Sequence, residues 1–223
     1  NTGFAHVGLL TGGETLTRYA KAFGFGKPTG IELPGEGSGI LFEPKDMRPI
    51  DVATMSIGQG IAVTPLQMVQ AYSAIANGGK MVKPHIIQSI KNADGSDYKV
   101  TPVEYSGDPI SKKVADDVKD MMEKEVSEGG GANARVPGYH MAGKTGTSQK
   151  NSDAWFMGVT PKIVAGAWVG GEDRSVHLNS AADGARVALP IFAGFMRKVY
   201  DDPSLGVSES DQFPMPVGAV VYE

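Results

Sequence analysis

Ala142-Gly143-Lys144-Thr145-Gly146-Thr147-Ser148 is the stretch that decides how this chain of 223 residues folds. It closes a run, Tyr139–Thr147, that is typical of a strand. Two more strand-like runs follow, Ala154–Val159 and Ile163–Gly170, and the segment Ser148–Ser152 before them is short and polar. Strands joined by short polar turns predict an antiparallel sheet.

The same stretch allows a second interpretation. Gly138–Thr145 satisfies the spacing G-x-x-x-x-G-K-[ST] of a P-loop, which would make the chain a nucleotide-binding protein. A P-loop requires a helix directly after it, because the N-terminal amides of that helix hold the phosphates. The residues after Thr145 are not typical of a helix start, and Tyr139–Met141 are bulky where the loop would wrap a phosphate. The sequence therefore favours the strand, with the P-loop as the alternative.

On a strand, successive side chains alternate between two faces. Lys144 and Gly146 would then point to one face, and Thr145 and Thr147 to the other. Gly146 has no Cβ, so a ligand backbone would be able to approach closely. A K-T-G tripeptide recurs by chance, and the rest of the chain has to support this interpretation.

Helices are predicted on both sides of the strand region, not between its strands. Thr64 and Gln67 form a capping box, Gly78-Gly79 ends that helix, and Ser111 caps another. The predicted helices are Thr15–Phe23, one from Thr64 to the glycine pair, one from Ser111 to Gly129–Gly131, and Ala185–Tyr200. This order predicts an α+β fold, an antiparallel β-sheet flanked by helices.

The remaining segments are predicted as follows. Residues 26–50 are rich in Gly and Pro, which indicates an irregular surface segment. Met81–Ile90 and Tyr98–Tyr105 are predicted strands, joined by a turn at Asp94-Gly95. Inward strand positions place three aromatic residues in the core: Trp155, Phe156 and Trp168.

In two of the predicted helices, the 3.6-residue period separates an inward face from a face in contact with solvent. In the helix from Ser111, the predicted inward positions are Val114, Val118, Met121, Met122 and Glu125. Its acidic residues are interpreted as a solvated face: Asp116, Asp117, Asp120 and Glu123. In the last helix, the predicted inward positions are Val187, Ile191, Phe192, Phe195 and Val199.

Composition excludes several functions. A net charge of −4 leaves no basic surface for a phosphate backbone, so no nucleic acid partner is expected. The absence of cysteine excludes disulfides and thiolate catalysis, and suits a protein outside the reducing cytoplasm. No histidine has a partner at metal-ligand spacing, so no metal or other cofactor is expected. These histidines are His6, His85, His140 and His177.

Longer segments around the K-T-G tripeptide resemble one known family. Ala142–Gln149, followed by Asp153–Gly158, is similar to the transpeptidase domains of penicillin-binding proteins. Two upstream segments, Ser56–Gln67 and Phe23–Gly35, are similar to the same family, in the same order. The resemblance extends over residues 1–200 and implies a fold like that of penicillin-binding proteins and serine β-lactamases.

The resemblance also suggests how the chain is divided. Residues 1–200 are expected to form a transpeptidase domain that is incomplete at its N-terminal side, and 201–223 a C-terminal tail. Residues 1–100 are more similar to the monofunctional class B enzymes. Ala165–Asp173 is more similar to the bifunctional class A enzymes.

In this family, a serine is acylated by the D-Ala-D-Ala end of a peptidoglycan stem peptide, and β-lactams acylate the same serine. The resemblance implies that Lys144 lies near the substrate carboxylate, with Thr145 and Thr147 as hydrogen-bond donors and Gly146 allowing close approach. The amide of Thr147 would form half of an oxyanion hole. Asn1 resembles the asparagine of the S-x-N motif, the alternative being an exposed chain end.

The nucleophile itself is not expected in this chain. The formal S-x-x-K at Ser96–Lys99 follows the turn at Asp94-Gly95, and a hairpin does not stack the two side chains as a helix does. Because the chain opens at Asn1 without methionine, we expect a missing N-terminal part of the same protein that supplies the serine, its lysine and a membrane anchor. The chain alone would then be inactive.

The implied function is that of a D,D-transpeptidase. Its partners would be stem peptides and β-lactams, and its location the bacterial cell envelope, at the outer face of the cytoplasmic membrane. A module that binds cell-wall peptide without doing chemistry is the remaining alternative.

Overall fold

The computed structural model describes residues 1–173 and 175–213, which form two compact units. The first comprises residues 1–74 and 80–109, and the second comprises residues 75–79 and those from Ile110 onward. Of the predicted tail 201–223, residues 214–223 lie outside the described range.

Three helices pack together in the first unit. They are α1 (Thr2–Thr11), α2 (Gly13–Ala22) and α3 (Pro49–Met55). Gly12 links the first two with a φ of 81°, which residues with a Cβ rarely adopt. The helices α1 and α3 approach closely because Gly8 has no side chain: a Cβ there would lie 2.3 Å from the Cβ of Ser56.

The sequence pattern predicts only α2 among these helices. Helix α1 exposes apolar side chains over much of its surface, including Phe4, Val7 and Leu10, so no single apolar stripe marks it. Helix α3 is seven residues long and begins inside the segment 26–50, which was expected to be irregular. That segment also contains a 3-10 turn at Pro44–Asp46.

The fourth helix, α4 (Pro65–Ala76), starts as the capping box predicts. The Gln67 N–H donates to Thr64 Oγ1 at 3.1 Å, and the Thr64 N–H donates to Gln67 Oε1 at 2.9 Å. Gln67 is buried, and its Nε2 donates to the carbonyls of Lys27 and Ser38 at 2.8 and 2.9 Å. The capping residue therefore also holds the irregular segment in place.

Four short strands complete the first unit: β1 (Met81–Val82), β2 (Ser89–Lys91), β3 (Asp97–Val100) and β4 (Tyr105–Gly107). β2 and β3 form the predicted hairpin, and Gly95 in its turn has a φ of 84°. β1 pairs with β4. The predicted strands Met81–Ile90 and Tyr98–Tyr105 are too long, because each is interrupted in the structure. The interruption of the first contains Pro84, which has no N–H to donate to a neighbouring strand.

The second unit is built around a three-stranded antiparallel sheet. After α5 (Lys112–Ser127) come β5 (Ala142–Thr147), β6 (Asp153–Val159) and β7 (Val164–Gly170), in the order β5-β6-β7. The chain then forms a π-helical turn at Gly184–Ala188 and α6 (Leu189–Tyr200). Consecutive strands with helices before and after them confirm the predicted α+β fold.

The core of the second unit lies between α6 and one face of the sheet. The rings of Phe156 and Phe192 are buried against each other with centroids 4.8 Å apart. Gly158 makes room for this contact, because a Cβ there would lie 2.2 Å from the Phe192 ring. The other buried members are Val126, Ala134, Met141, Ala167, Ala188, Leu189, Ala193, Met196 and Val199.

Three predictions about the core are wrong. In α5, Val114 and Met121 are exposed although their spacing predicts burial. Trp168 is 41% exposed. It stands opposite Trp155 and therefore shares its face of the sheet. Trp155 is next to the buried Phe156 on β6, so both tryptophans lie on the face opposite to the core.

In α6, Ile191 and Phe195 are exposed although their spacing predicts burial. The π-helical turn before α6 shifts the predicted position Val187 out of phase with the buried face of α6. That face is formed instead by Leu189, Phe192, Ala193, Met196 and Val199.

The acidic face of α5 is also different from the prediction. Asp116 is 1% exposed, with its carboxylate 2.5 Å from Lys112 Nζ and 3.0 Å from Lys119 Nζ. Lys119 is buried as well. Burial alone would raise the pKa of Asp116, but the hydrogen bonds from Lys112 and Lys119 outweigh it and lower the pKa below that of a free aspartate. Asp116 thus forms a buried ion pair with Lys119, three residues further along the helix, and is not the solvated carboxylate that the sequence pattern predicts.

We expect Asp116→Ala to destabilise the second unit by about 3–5 kcal/mol, because it leaves the buried Lys119 ammonium without its partner. Asp117→Ala, which removes an exposed carboxylate paired with Lys113, should change stability by less than about 1 kcal/mol. Urea unfolding of both variants measures the difference. The contribution of Asp116 should be present above the pKa of an unfolded aspartate and disappear as the pH falls through its lowered pKa in the folded protein. Similar losses of stability in both variants would contradict this account.

Candidate active site

The K-T-G residues lie together on β5, the edge strand of the sheet. Thr145 stands opposite Phe156, and Gly146 stands opposite Trp155. Because residues directly opposite each other share a face, Thr145 is on the face of the core and Gly146 on the other. The predicted alternation along β5 is confirmed.

The outer edge of β5 carries free backbone groups. The Ser148 N–H donates to the Asp153 carbonyl at 2.9 Å, which makes these two residues a hydrogen-bonded pair of the ladder. Alternate residues of an antiparallel strand bond to the same neighbour, so the amides of Thr145 and Thr147 point away from β6. In the described part of the chain, no strand pairs with that edge. A peptide-like ligand would meet donors and acceptors there.

Lys144 places a positive charge beside this edge. Its Nζ lies 3.2 Å from Glu125 Oε1, in the last turn of α5, and 3.4 Å from Thr145 Oγ1. The Lys144 side chain is 54% exposed. The ammonium is therefore held near the strand and still faces solvent.

The turn between β5 and β6 is held by one carboxylate. Asp153 accepts hydrogen bonds from the hydroxyls of Ser148 (3.0 Å) and Ser152 (3.2 Å) and from Trp168 Nε1 (3.1 Å). Asn151, with a φ of 54°, donates from Nδ2 to the carbonyl of Ala182 at 3.1 Å. These contacts fix the end of β5 and the segment that leads to the π-helical turn.

Thr147 is positioned from that turn. Its Oγ1 accepts a hydrogen bond from the Gly184 N–H at 3.0 Å. An accepting hydroxyl keeps its own proton available for donation, here at the exposed end of β5. Only glycine fits at position 184, because a Cβ would lie 2.4 Å from the Trp155 carbonyl oxygen and 2.5 Å from that of Gly146.

Two further residues considered from the sequence, Asn1 and Ser96, belong to the first unit. Asn1 is exposed at the N-cap of α1 and makes no side-chain capping bond. Ser96 lies in the β2–β3 turn, and its Oγ donates to Asp94 Oδ1 at 2.6 Å. Its hydroxyl is part of the turn, as the sequence predicts.

The P-loop interpretation of Gly138–Thr145 is wrong. Thr145 lies within β5, which continues to Thr147, and no helix begins there. A P-loop needs the N-terminus of a helix at this point to hold phosphate. The nucleotide-binding alternative is therefore excluded.

The family described as penicillin binding protein transpeptidase domain matches residues 1–197. The chain belongs to this family. Stage V sporulation protein D of Bacillus subtilis is 37% identical over 216 residues, which are 93% of this chain and 33% of that protein. Penicillin-binding protein 1A of Rickettsia typhi is 36% identical, over 79% of this chain and 25% of that protein.

Solved structures of transpeptidases confirm the fold. Penicillin-binding protein A from M. tuberculosis, as an imipenem acyl-enzyme complex, matches with a TM-score of 0.72 and 28% identity, covering 88% of this chain and 45% of that one. The chain thus spans about a third or less of the length of the curated relatives named above.

Two residues of this candidate site were missed by sequence reasoning. Glu125 was grouped with apolar residues by its spacing, and a lone carboxylate on such a face is itself a signal of a charged partner. Gly184 follows Asp183, whose side chain caps the π-helical turn by accepting from the Arg186 N–H at 2.9 Å. That cap was a usable signal for the start of the segment, but not for its contact with β5.

Among residues 1–173 and 175–213, no three His, Asp or Glu side chains are grouped closely enough to hold a metal ion. No helix within these residues is long and apolar enough to cross a membrane.

We expect Gly184→Ala to destabilise the second unit by about 1–3 kcal/mol, because the added Cβ would collide with two carbonyl oxygens of β5 and β6. Gly194→Ala is the matched control: it lies in α6 with no atom within 4 Å of the added Cβ, and should stabilise by about 1 kcal/mol. Thermal unfolding measures both variants: the midpoint temperature should fall for Gly184→Ala and rise for Gly194→Ala. A stable Gly184→Ala variant with an unchanged Thr147 amide resonance would contradict this role.

Proposed function

We propose that the chain forms the substrate-binding edge of a D,D-transpeptidase that cross-links peptidoglycan through a serine acyl-enzyme. The observation that carries this proposal is the free edge of β5, where an exposed ammonium, an outward amide and a hydroxyl lie within four consecutive residues, Lys144–Thr147. An amide and a cation at one edge suit a peptide that ends in a carboxylate.

The reaction takes place in two acyl transfers. The serine Oγ attacks the carbonyl carbon between the two D-alanines, the amide bond breaks, and the terminal D-alanine leaves with a proton on its nitrogen. An amine of a neighbouring stem peptide then attacks the ester carbonyl, forms a new amide and returns a proton to the serine. A β-lactam imitates the first step, and its ring amide is the bond that opens.

Each residue of the edge has a distinct role in this proposal. Lys144 attracts the terminal carboxylate, and Thr145 and Thr147 donate hydroxyl hydrogen bonds to it. The Thr147 amide donates to the oxygen that becomes negative during each acyl transfer. Gly146 leaves space for the substrate backbone, and Asn1 acts as the asparagine of the S-x-N motif.

The serine and its base are proposed to lie outside these 223 residues, in a segment N-terminal to Asn1. The named relatives are three or more times longer than the matched region. With an anchor in the same segment, the transpeptidase domain would work at the outer face of the bacterial cytoplasmic membrane. Residues 1–200 then form one part of that domain, followed by the tail 201–223.

A non-catalytic module that binds cell-wall peptide is the second candidate, favoured by the absence of an activated serine among the described residues. Fluorescent penicillin separates the two. A longer protein that includes an S-x-x-K segment should be labelled covalently if the chain belongs to an enzyme. It should bind without labelling if the protein is a binding module.

Thr147→Pro in that longer protein should lower the acylation rate by about 10²–10³, because the oxyanion loses one donor. Proline is tolerated at this position of an edge strand, since the Thr147 amide makes no ladder bond. Thr147→Val, which keeps the amide and removes the hydroxyl, is the control and should lose less. Near-normal acylation of a correctly folded Thr147→Pro variant would refute the oxyanion assignment.

The 223-residue chain alone should form no covalent adduct with penicillin. Acylation needs a hydroxyl whose neighbouring base is free to take its proton. The serines near β5, Ser148 and Ser152, hydrogen-bond to each other at 2.8 Å and to Asp153, whose carboxylate also accepts from Trp168 Nε1 and holds the turn. Intact-mass spectrometry after incubation is the measurement. A stoichiometric adduct on any serine would show that the nucleophile is inside this chain.

A further inference from the structure

Glu125 stands where an incoming carboxylate would have to go. Its Oε1 is 3.2 Å from Lys144 Nζ, and its side chain is 28% exposed while that of Lys144 is 54% exposed. An ammonium has three donors, and the exposed part of Lys144 leaves at least one of them to solvent. A second carboxylate therefore has access to the same cation.

The position of Glu125 does not serve the stability of its helix. The residue lies in the last turn of α5, which ends at Ser127. Unpaired carbonyls give that end of a helix a partial negative charge, so a carboxylate is unfavourable there. Pairing with Lys144 offsets this effect, which connects the end of α5 to the edge strand.

A glycine loop closes over the carboxylate. A Cβ at Gly129 would lie 2.7 Å from Glu125 Oε2, and one at Gly130 would lie 3.4 Å from Oε1. The amides of Gly129 and Gly131 both donate to the Glu125 carbonyl at 3.1 Å. Larger residues would crowd the carboxylate, so these glycines leave room for the Glu125 side chain beside Lys144.

We propose that Glu125 is a specificity-determining residue: its carboxylate competes with that of the ligand for the Lys144 ammonium and so weakens the binding of anionic ligands. This inference rests on the proposed function, in which Lys144 receives the ligand carboxylate. Neutral ligands would not be affected.

Two opposing effects decide whether the charge of Glu125 strengthens or weakens the binding of an anionic ligand. Glu125 restricts the Lys144 side chain, which favours binding, but an ion pair this exposed orders its partners only weakly. Two carboxylates drawn to one ammonium repel each other at short distance, and a half-exposed site screens this only in part. The repulsion is the larger effect, so removing the charge of Glu125 should strengthen anion binding.

The first test titrates the chain with N-acetyl-D-alanine and follows the amide resonances of Lys144 and Thr145 by NMR. In Glu125→Gln, which keeps the shape of the side chain, we expect the Kd to fall by about three- to tenfold. The gain should shrink at high salt, because screening weakens the repulsion. The neutral N-acetyl-D-alaninamide should show no gain.

Glu123→Gln is the matched control. Glu123 lies two residues away on α5, where it contacts His140 Nδ1 at 3.2 Å, and its substitution changes the net charge by the same amount. We expect its Kd for N-acetyl-D-alanine to stay within about twofold of the wild type. Equal gains in both variants, an unchanged or weaker Kd in Glu125→Gln, or no detectable binding in either protein would overturn the inference.

A second readout separates this inference from the proposed function. In the longer protein that includes an S-x-x-K segment, Glu125→Gln should raise the acylation rate constant for benzylpenicillin but not for its neutral methyl ester. If no variant of that protein is acylated, the proposed function fails, and the NMR titration still decides whether Glu125 competes for Lys144.

Discussion

The antiparallel ladder between β5 and β6 is the interaction on which the candidate site depends. It runs in register from Ala142 opposite Val159 to Thr147 opposite Ala154, and its last hydrogen-bonded pair lies in the turn. The inward amides of β5 bond to β6, and the outward amides remain free at the sheet edge. The same ladder divides the side chains, so that Thr145 shares a face with the buried Phe156 while Lys144 lies on the other face.

Two elements outside the ladder complete the site from opposite faces. Helix α5 brings the Glu125 carboxylate to the Lys144 ammonium, and the π-helical turn before α6 brings the Gly184 amide to the Thr147 hydroxyl. Both contacts depend on glycines, since a side chain at Gly129 or Gly184 would crowd the contact or collide with the strands. The site therefore requires glycine at these two positions as well as the charged groups of Glu125 and Lys144.

The charges of α5 have different effects according to their exposure. Asp116 and Lys119 are buried together, and removing Asp116 leaves the Lys119 ammonium without water or counter-ion. Glu125 and Lys144 are partly exposed, and water stabilises either charge alone. The first pair concerns the stability of the unit. The second can exchange partners at low cost, which makes it suited to a place where ligands bind.

The sequence by itself determined the family, the α+β fold, the hairpin after K-T-G, and the caps at Thr64 and Ser111. These follow from local signals, because a cap or a tight turn depends on residues only a few positions apart. Only the tertiary structure decided which charges are buried, how α6 is rotated, and that Glu125 and Gly184 contact the edge strand. Glu125 is 19 residues from Lys144, and Gly184 is 37 from Thr147. Contacts over such separations arise from packing, which periodicity along one element does not contain.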